Sequence, residues 1–152
     1  MKIENIVNKQ MYPREPMKSY KIIAHTADVR LQVTGTTLPE LFLAAIDGMN
    51  HIIKPHQSNQ KREISHKITL SSPDTTTLLI DFLSAVLTKT QVTKNIFCSI
   101  EFEQFHPTNI VAIIYGHAVN AFSEDIKAVT YHEANIIKNQ KGDYQTTIIF
   151  DI

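Results

Sequence analysis

Apolar and polar positions change their spacing several times along the chain, and each change marks a structural element. Residues 19–24 carry Ile22 and Ile23, and residues 29–35 place Val29, Leu31 and Val33 on alternate positions up to Gly35. Both stretches read as strands. The spacing then lengthens to that of a helix, with Leu38, Leu41, Phe42, Ala45, Met49 and Ile52 or Ile53 forming one apolar face. Thr37 and Glu40 have the spacing of a capping box, Pro39 falls in the first turn, and Lys54-Pro55 ends the element. After a loop at "HQSNQ", Ile64, His66, Ile68 and Leu70 alternate as a half-buried strand. Ser72 or Asp74 then caps a helix over 75–90, whose inward stripe is Leu78, Leu79, Phe82, Val86 and Leu87.

The remaining third is strand-like. Residues 96–105 and 109–119 read as two strands joined by a Pro-Thr-Asn turn, and 120–125 as a polar loop. "IKAVTYHEANII" and "YQTTIIFDI" read as a further pair around "KNQKGD", where Gly142 supplies a positive φ. The order is not an alternating βαβ one. It predicts an α+β fold, a mainly antiparallel sheet with two helices packed on one face. Residues 1–17, with Pro13, Pro16 and mixed charges, read as a flexible leader before a single domain at 18–152.

Within the first strand pair sits a polar interruption, His25, Thr26 and Asp28. It is either a turn or a site. Composition narrows what a site can do. Lys plus Arg and Asp plus Glu each number 15, so the basic excess of a protein that grips a nucleic-acid backbone by itself is missing. Contact with RNA is therefore expected only through a partner. Cys98 is the one cysteine, which rules out an intrachain disulfide and a cysteine-based zinc site and fits a reducing, cytoplasmic setting. No apolar run approaches the roughly 20 residues of a membrane-spanning helix. With four glycines at 35, 48, 116 and 142, no phosphate-binding glycine loop can be written.

Three candidates for chemistry are left. His66, His117 and His132 fall in expected strands, as structural or surface histidines or as a meeting set of zinc ligands. Asp28 and Asp151 lie at strand ends, and Ile152 adds a terminal carboxylate. Either Asp28 caps a turn and Asp151 is solvated, or the three groups cluster. A cluster would repel itself unless a cation settled in it, and calcium suits such oxygens, with magnesium or manganese also able to bind them. Lys127 is either a surface lysine at a strand start or an ammonium set near those carboxylates to meet a phosphate.

Taken together, "HTADVRLQVTGTTLPELF", "LLIDFLSAVL", "IKAVTYHEANI" and "TTIIFDI" resemble the archease family, in order, from about residue 19 to 152. The resemblance implies a non-catalytic accessory protein of tRNA splicing and RNA repair. Its partner is the GTP-dependent, RtcB-type RNA ligase, whose guanylylation and multiple turnover archeases promote. It further implies a metal site, usually calcium, at Asp28, Asp151 and Ile152, and a functionally important lysine at Lys127. Ala24 stands where the family commonly has a glutamate, which lowers the negative charge expected there, and Asp81 stands where the family often has an acidic residue. Two other readings stay open: a metal-dependent hydrolase of a small phosphorylated substrate with His25 as base, and a general chaperone or interaction module.

Overall fold

A computed structural model describes residues 16–54 and 61–152. Among them the chain runs β1 (Lys18–Ala24), β2 (Asp28–Gly35), α1 (Leu38–Ile53), β3 (Ile64–Ser71), α2 (Thr75–Thr93), β4 (Asn95–His106), β5 (Asn109–Ala118), β6 (Ala128–Thr130), β7 (Ile137–Lys138) and β8 (Tyr144–Asp151). Thr37 caps α1, its hydroxyl accepting from the Glu40 backbone N–H at 3.2 Å, with Pro39 in the first turn. Asp74, rather than Ser72, caps α2 by accepting from the Thr77 N–H at 2.7 Å. That bond holds the exposed Asp74 carboxyl below its usual range.

The strands are antiparallel and divide into two sheets, one ordered β1-β2-β8-β6 with β7 also on β8, the other β3-β5-β4. The helices join them. α1 packs on β1 and β2 of the larger sheet and on β4 of the smaller, while α2 contacts β3, β4 and β6. The core between them holds Leu31, Phe42, Phe82, Phe97 and Phe150, all fully buried. Gly48 lets α1 approach β2, since a methyl group there would lie 2.5 Å from the Leu31 Cδ1.

Three expectations change. "IKAVTYHEANII" is not one strand: pairing with β8 stops after Thr130 and resumes only at Ile137. The run His132-Glu133-Ala134-Asn135 is poor in the β-branched and aromatic residues that favour a pleated surface. It turns instead, with the Ala134 N–H on the Tyr131 carbonyl at 3.2 Å and Glu133 at φ 62°. α2 extends to Thr93 and ends on Lys94 in the left-handed conformation, φ 56°, with no glycine to signal it. The body begins before residue 18, because the Met17 backbone bonds both ways with Thr36, N–H to Oγ1 and O to N–H, each at 2.8 Å. Residues 1–15, the rest of the expected leader, and the loop at 55–60 lie outside the described residues.

Candidate functional site

Asp28 opens β2 and Asp151 closes β8, and the antiparallel register sets them directly opposite each other. Cross-strand partners point to one face with Cα atoms roughly 4.5–5.5 Å apart. Val29, Leu31, Ile148 and Phe150 point to the core, so the opposite parity sends Asp28, Arg30, Ile149 and Asp151 to the outer face. β8 is also paired on its other side, where Ala128 sits opposite Asp151 and Thr130 opposite Ile149. The polar interruption at His25 to Asp28 is therefore a hairpin turn, closed by the His25 N–H on the Asp28 carbonyl at 3.0 Å, and it also delivers a carboxylate to the tail strand.

Arg30 and Glu133 join the aspartates here, although neither is among the candidates drawn from the sequence. Arg30 lies two residues beyond Asp28, hence on the same face. Its Nη1 donates to the Glu133 carboxylate at 2.7 Å, and its Nε lies 3.8 Å from Asp28 Oδ1. The strand-plus-alternation rule signals Arg30. Nothing in the expected single strand over 126–137 signals Glu133, because only the turn brings it there. Asp81 of α2 accepts hydrogen bonds from Ser72 Oγ at 2.6 Å and from the Tyr131 hydroxyl, tying the same turn to the helix. That bond to Asp81, with some desolvation, raises the Tyr131 hydroxyl above its ordinary 10.0.

Buried polar atoms without hydrogen-bond partners gather here. Asp28 Oδ1, Arg30 Nε and Thr130 Oγ1 are all in that state. Such atoms usually have a partner in protein, water or ion. An unpartnered carboxylate oxygen opposite a second carboxylate fits a hard, oxygen-seeking cation. Among the described residues no group of three or more His, Cys, Asp or Glu side chains converges, so a third protein oxygen beside the two aspartates would come from outside those side-chain types. Ile152 follows Asp151 directly and packs partly buried on the core.

Lys127 precedes β6, and its backbone N–H donates to the Asp151 carbonyl at 2.8 Å. The residue is exposed, and its ammonium makes no ion pair among the described residues. His25 is exposed, and its ring has no hydrogen bond to either aspartate. The histidines do not converge: His66 packs edge-on against Phe97, His117 is buried on β5, and His132 is exposed in the turn after β6 of the other sheet. Cys98 is half-buried and burial raises its thiol pKa, as suits an unreactive thiol. Next to Glu133, a groove of about 390 Å³ runs along the outer face between Gln32, Thr34, Asn135, Gln145 and Thr147.

A family model described as "Archease protein family (MTH1598/TM1083)" matches residues 20–152. The chain belongs to the archease family. It is 29% identical over 143 residues to "Protein archease" of Methanosarcina acetivorans, covering 89% of this chain and 97% of that one. With the Methanosarcina barkeri protein of the same name identity is 31% over 144 residues, with the same two coverages. The archease fold itself is seen in the solution structure of Methanobacterium thermoautotrophicum protein 1598, TM-score 0.71 at 19% identity, over 88% of this chain and 98% of that one. A crystal structure from Thermotoga maritima, described as "an archease, possible chaperone", matches with TM-score 0.62 at 17% identity, over 93% and 98%. This archease has no helix among its described residues long and apolar enough to cross a membrane.

Proposed function

We propose that this archease is an accessory protein that activates a GTP-dependent RtcB-type RNA ligase, promoting ligase guanylylation and multiple turnover in tRNA splicing or RNA repair. Asp28, Asp151 and the Ile152 carboxylate hold a divalent cation, calcium before magnesium or manganese. The observation that carries the reading is the direct pairing of Asp28 with Asp151 beside an unpartnered buried carboxylate oxygen. When bound, the ion supplies positive charge against phosphate oxygens. The protein's own part is positional. β8 is held between β2 and β6, so Asp151 stays in register on both sides, and the Lys127 N–H pins its carbonyl. The exposed Lys127 ammonium adds a point charge that can meet phosphate on the partner. The balanced net charge leaves RNA to the ligase, in the cytoplasm.

The test is reconstitution with the ligase of the same cell, GTP and each metal in turn, reading the guanylylated ligase. Stimulation by the wild-type chain, lost in Asp28→Asn, Asp151→Asn and Lys127→Ala, supports the proposal. No stimulation under any metal condition defeats it. A second reading, a chaperone-like module, draws on the description of the Thermotoga protein as a possible chaperone. It is favoured if stimulation survives Lys127→Ala and Asp28→Asn alike. A hydrolase with His25 as base finds no support in geometry, since that ring is not oriented by any bond to the aspartates.

A further inference from the structure

We propose that Arg30 is an internal counter-cation that competes with a divalent ion for Asp28, and that Glu133 is a positioning residue that decides the competition by drawing the guanidinium away. The inference rests on the reading of Asp28 as a metal ligand and names what regulates that ligand. Asp28 and Arg30 share one strand face and stand as a loose ion pair with no hydrogen bond between them. Arg30 Nε is a buried donor without an acceptor, Asp28 Oδ1 is a buried acceptor without a donor, and the two are 3.8 Å apart. The missing bond is spent elsewhere, on Glu133 at 2.7 Å.

Glu133 reaches Arg30 from a backbone that most residues avoid. At φ 62° its left-handed conformation is disfavoured for a residue with a Cβ, and such conformations persist where the surroundings impose them. The turn is braced on both sides, by Tyr131 on Asp81 and by the Asn135 N–H on Thr146 Oγ1 at 3.0 Å. Besides Arg30, His132, exposed and 3.8 Å away, is the one charged or titratable group within ion-pair distance of that carboxylate among the described residues. Two arrangements follow from these distances. With Arg30 on Glu133, Asp28 Oδ1 is left for a cation. With Arg30 swung onto Asp28, the guanidinium takes the position of that cation and neutralises the carboxylate.

The test is calorimetric titration of calcium into the full chain, with far-UV circular dichroism in chelator to verify folding of each variant. Arg30→Gln should tighten calcium binding roughly 10-fold, the scale on which groups around a metal's ligands act. Glu133→Gln should weaken it by a similar factor, and in the Arg30→Gln background it should have no effect. Arg30→Lys keeps the charge and should stay near wild type, and Arg30→Met, also uncharged, carries the same expected tightening, and the same overturning result, if Arg30→Gln fails to fold. Wild type that binds through Asp28, as judged by loss in Asp28→Asn, while Arg30→Gln is unchanged or weaker, overturns the inference and leaves the metal reading standing. Glu133→Gln still weakening binding without Arg30 overturns the positioning role. Calcium bound equally by wild type and Asp28→Asn, or by neither wild type nor Arg30→Gln, overturns both.

Discussion

Truncating Phe150 to alanine tests the claim that the tail strand is held from below while its chemistry faces out. Phe150 is 0% exposed, lies between Val29 on β2 and Val129 on β6, and sits one residue before Asp151. Removing a fully buried phenyl ring forfeits its transfer free energy and leaves a cavity, together about 3–5 kcal/mol. For a domain of this size that is a fall in Tm of roughly 6–20 °C. Urea unfolding read by far-UV circular dichroism, in chelator to exclude any metal contribution, measures it; the chain has no tryptophan to report by fluorescence. The urea midpoint should fall by at least about 1 M with little change in slope. Phe150→Leu, which keeps much of the apolar volume, should fall between. A loss below about 2 kcal/mol for Phe150→Ala would refute the reasoning, because a ring in a close-packed core cannot be removed so cheaply.

Gly116→Ala should destabilise by about 1–3 kcal/mol, since its methyl group would meet the Ile96 carbonyl oxygen of β4 at 2.1 Å and backbone cannot rotate away; an unchanged Tm contradicts this. Asp81→Asn should bring the Tyr131 hydroxyl down toward 10.0 while leaving Tyr115 raised, as ring-carbon NMR titration would show. Asp74 is lowered in the folded protein by its bond to the Thr77 N–H, so its contribution is full above the ordinary 3.8 and is lost as pH falls through the lower folded value. Asp74→Asn, which still caps a helix, should therefore flatten the acid limb of a stability profile, and an unchanged limb counts against the cap.

Where a local rule governs, the sequence was readable. Thr37 and Asp74 announce helix starts because the side chain that caps sits within three residues of the N–H it satisfies. Gly142 announces its turn because φ +84° is a glycine conformation. Lys94 and Glu133 take left-handed conformations with no residue to signal them, one imposed by the exit from α2 into β4 and one by a turn braced from α2 and β8. The division into two sheets was hidden for a similar reason. Alternation shows which face of a strand is buried but not which strand it pairs with. Asp28 and Asp151 are candidates from their places at strand ends. Their facing register, like the Arg30–Glu133 pair, exists only once strands distant in sequence are assembled.

That dependence bears on why the acidic pair is completed from β8 in particular. A residue at the edge of a sheet has one cross-strand neighbour, whereas Asp151, on an interior strand, has Asp28 on one side and Ala128 on the other. Ala128 is small, and the chain just before it carries Lys127, whose N–H binds the Asp151 carbonyl. Asp151 is thus fixed from two strands, by its register on both sides and by the Lys127 N–H on its carbonyl. The arrangement is rigid on the core side through Val29, Phe150 and Val129, and adjustable on the outer side, where Arg30 has two carboxylates within reach. A site built this way is lost with the fold, not before it. Hydrogen exchange at the amides of residues 148–151 should therefore report global unfolding, and exchange there that is much faster than in α1 would mean that the tail strand opens on its own.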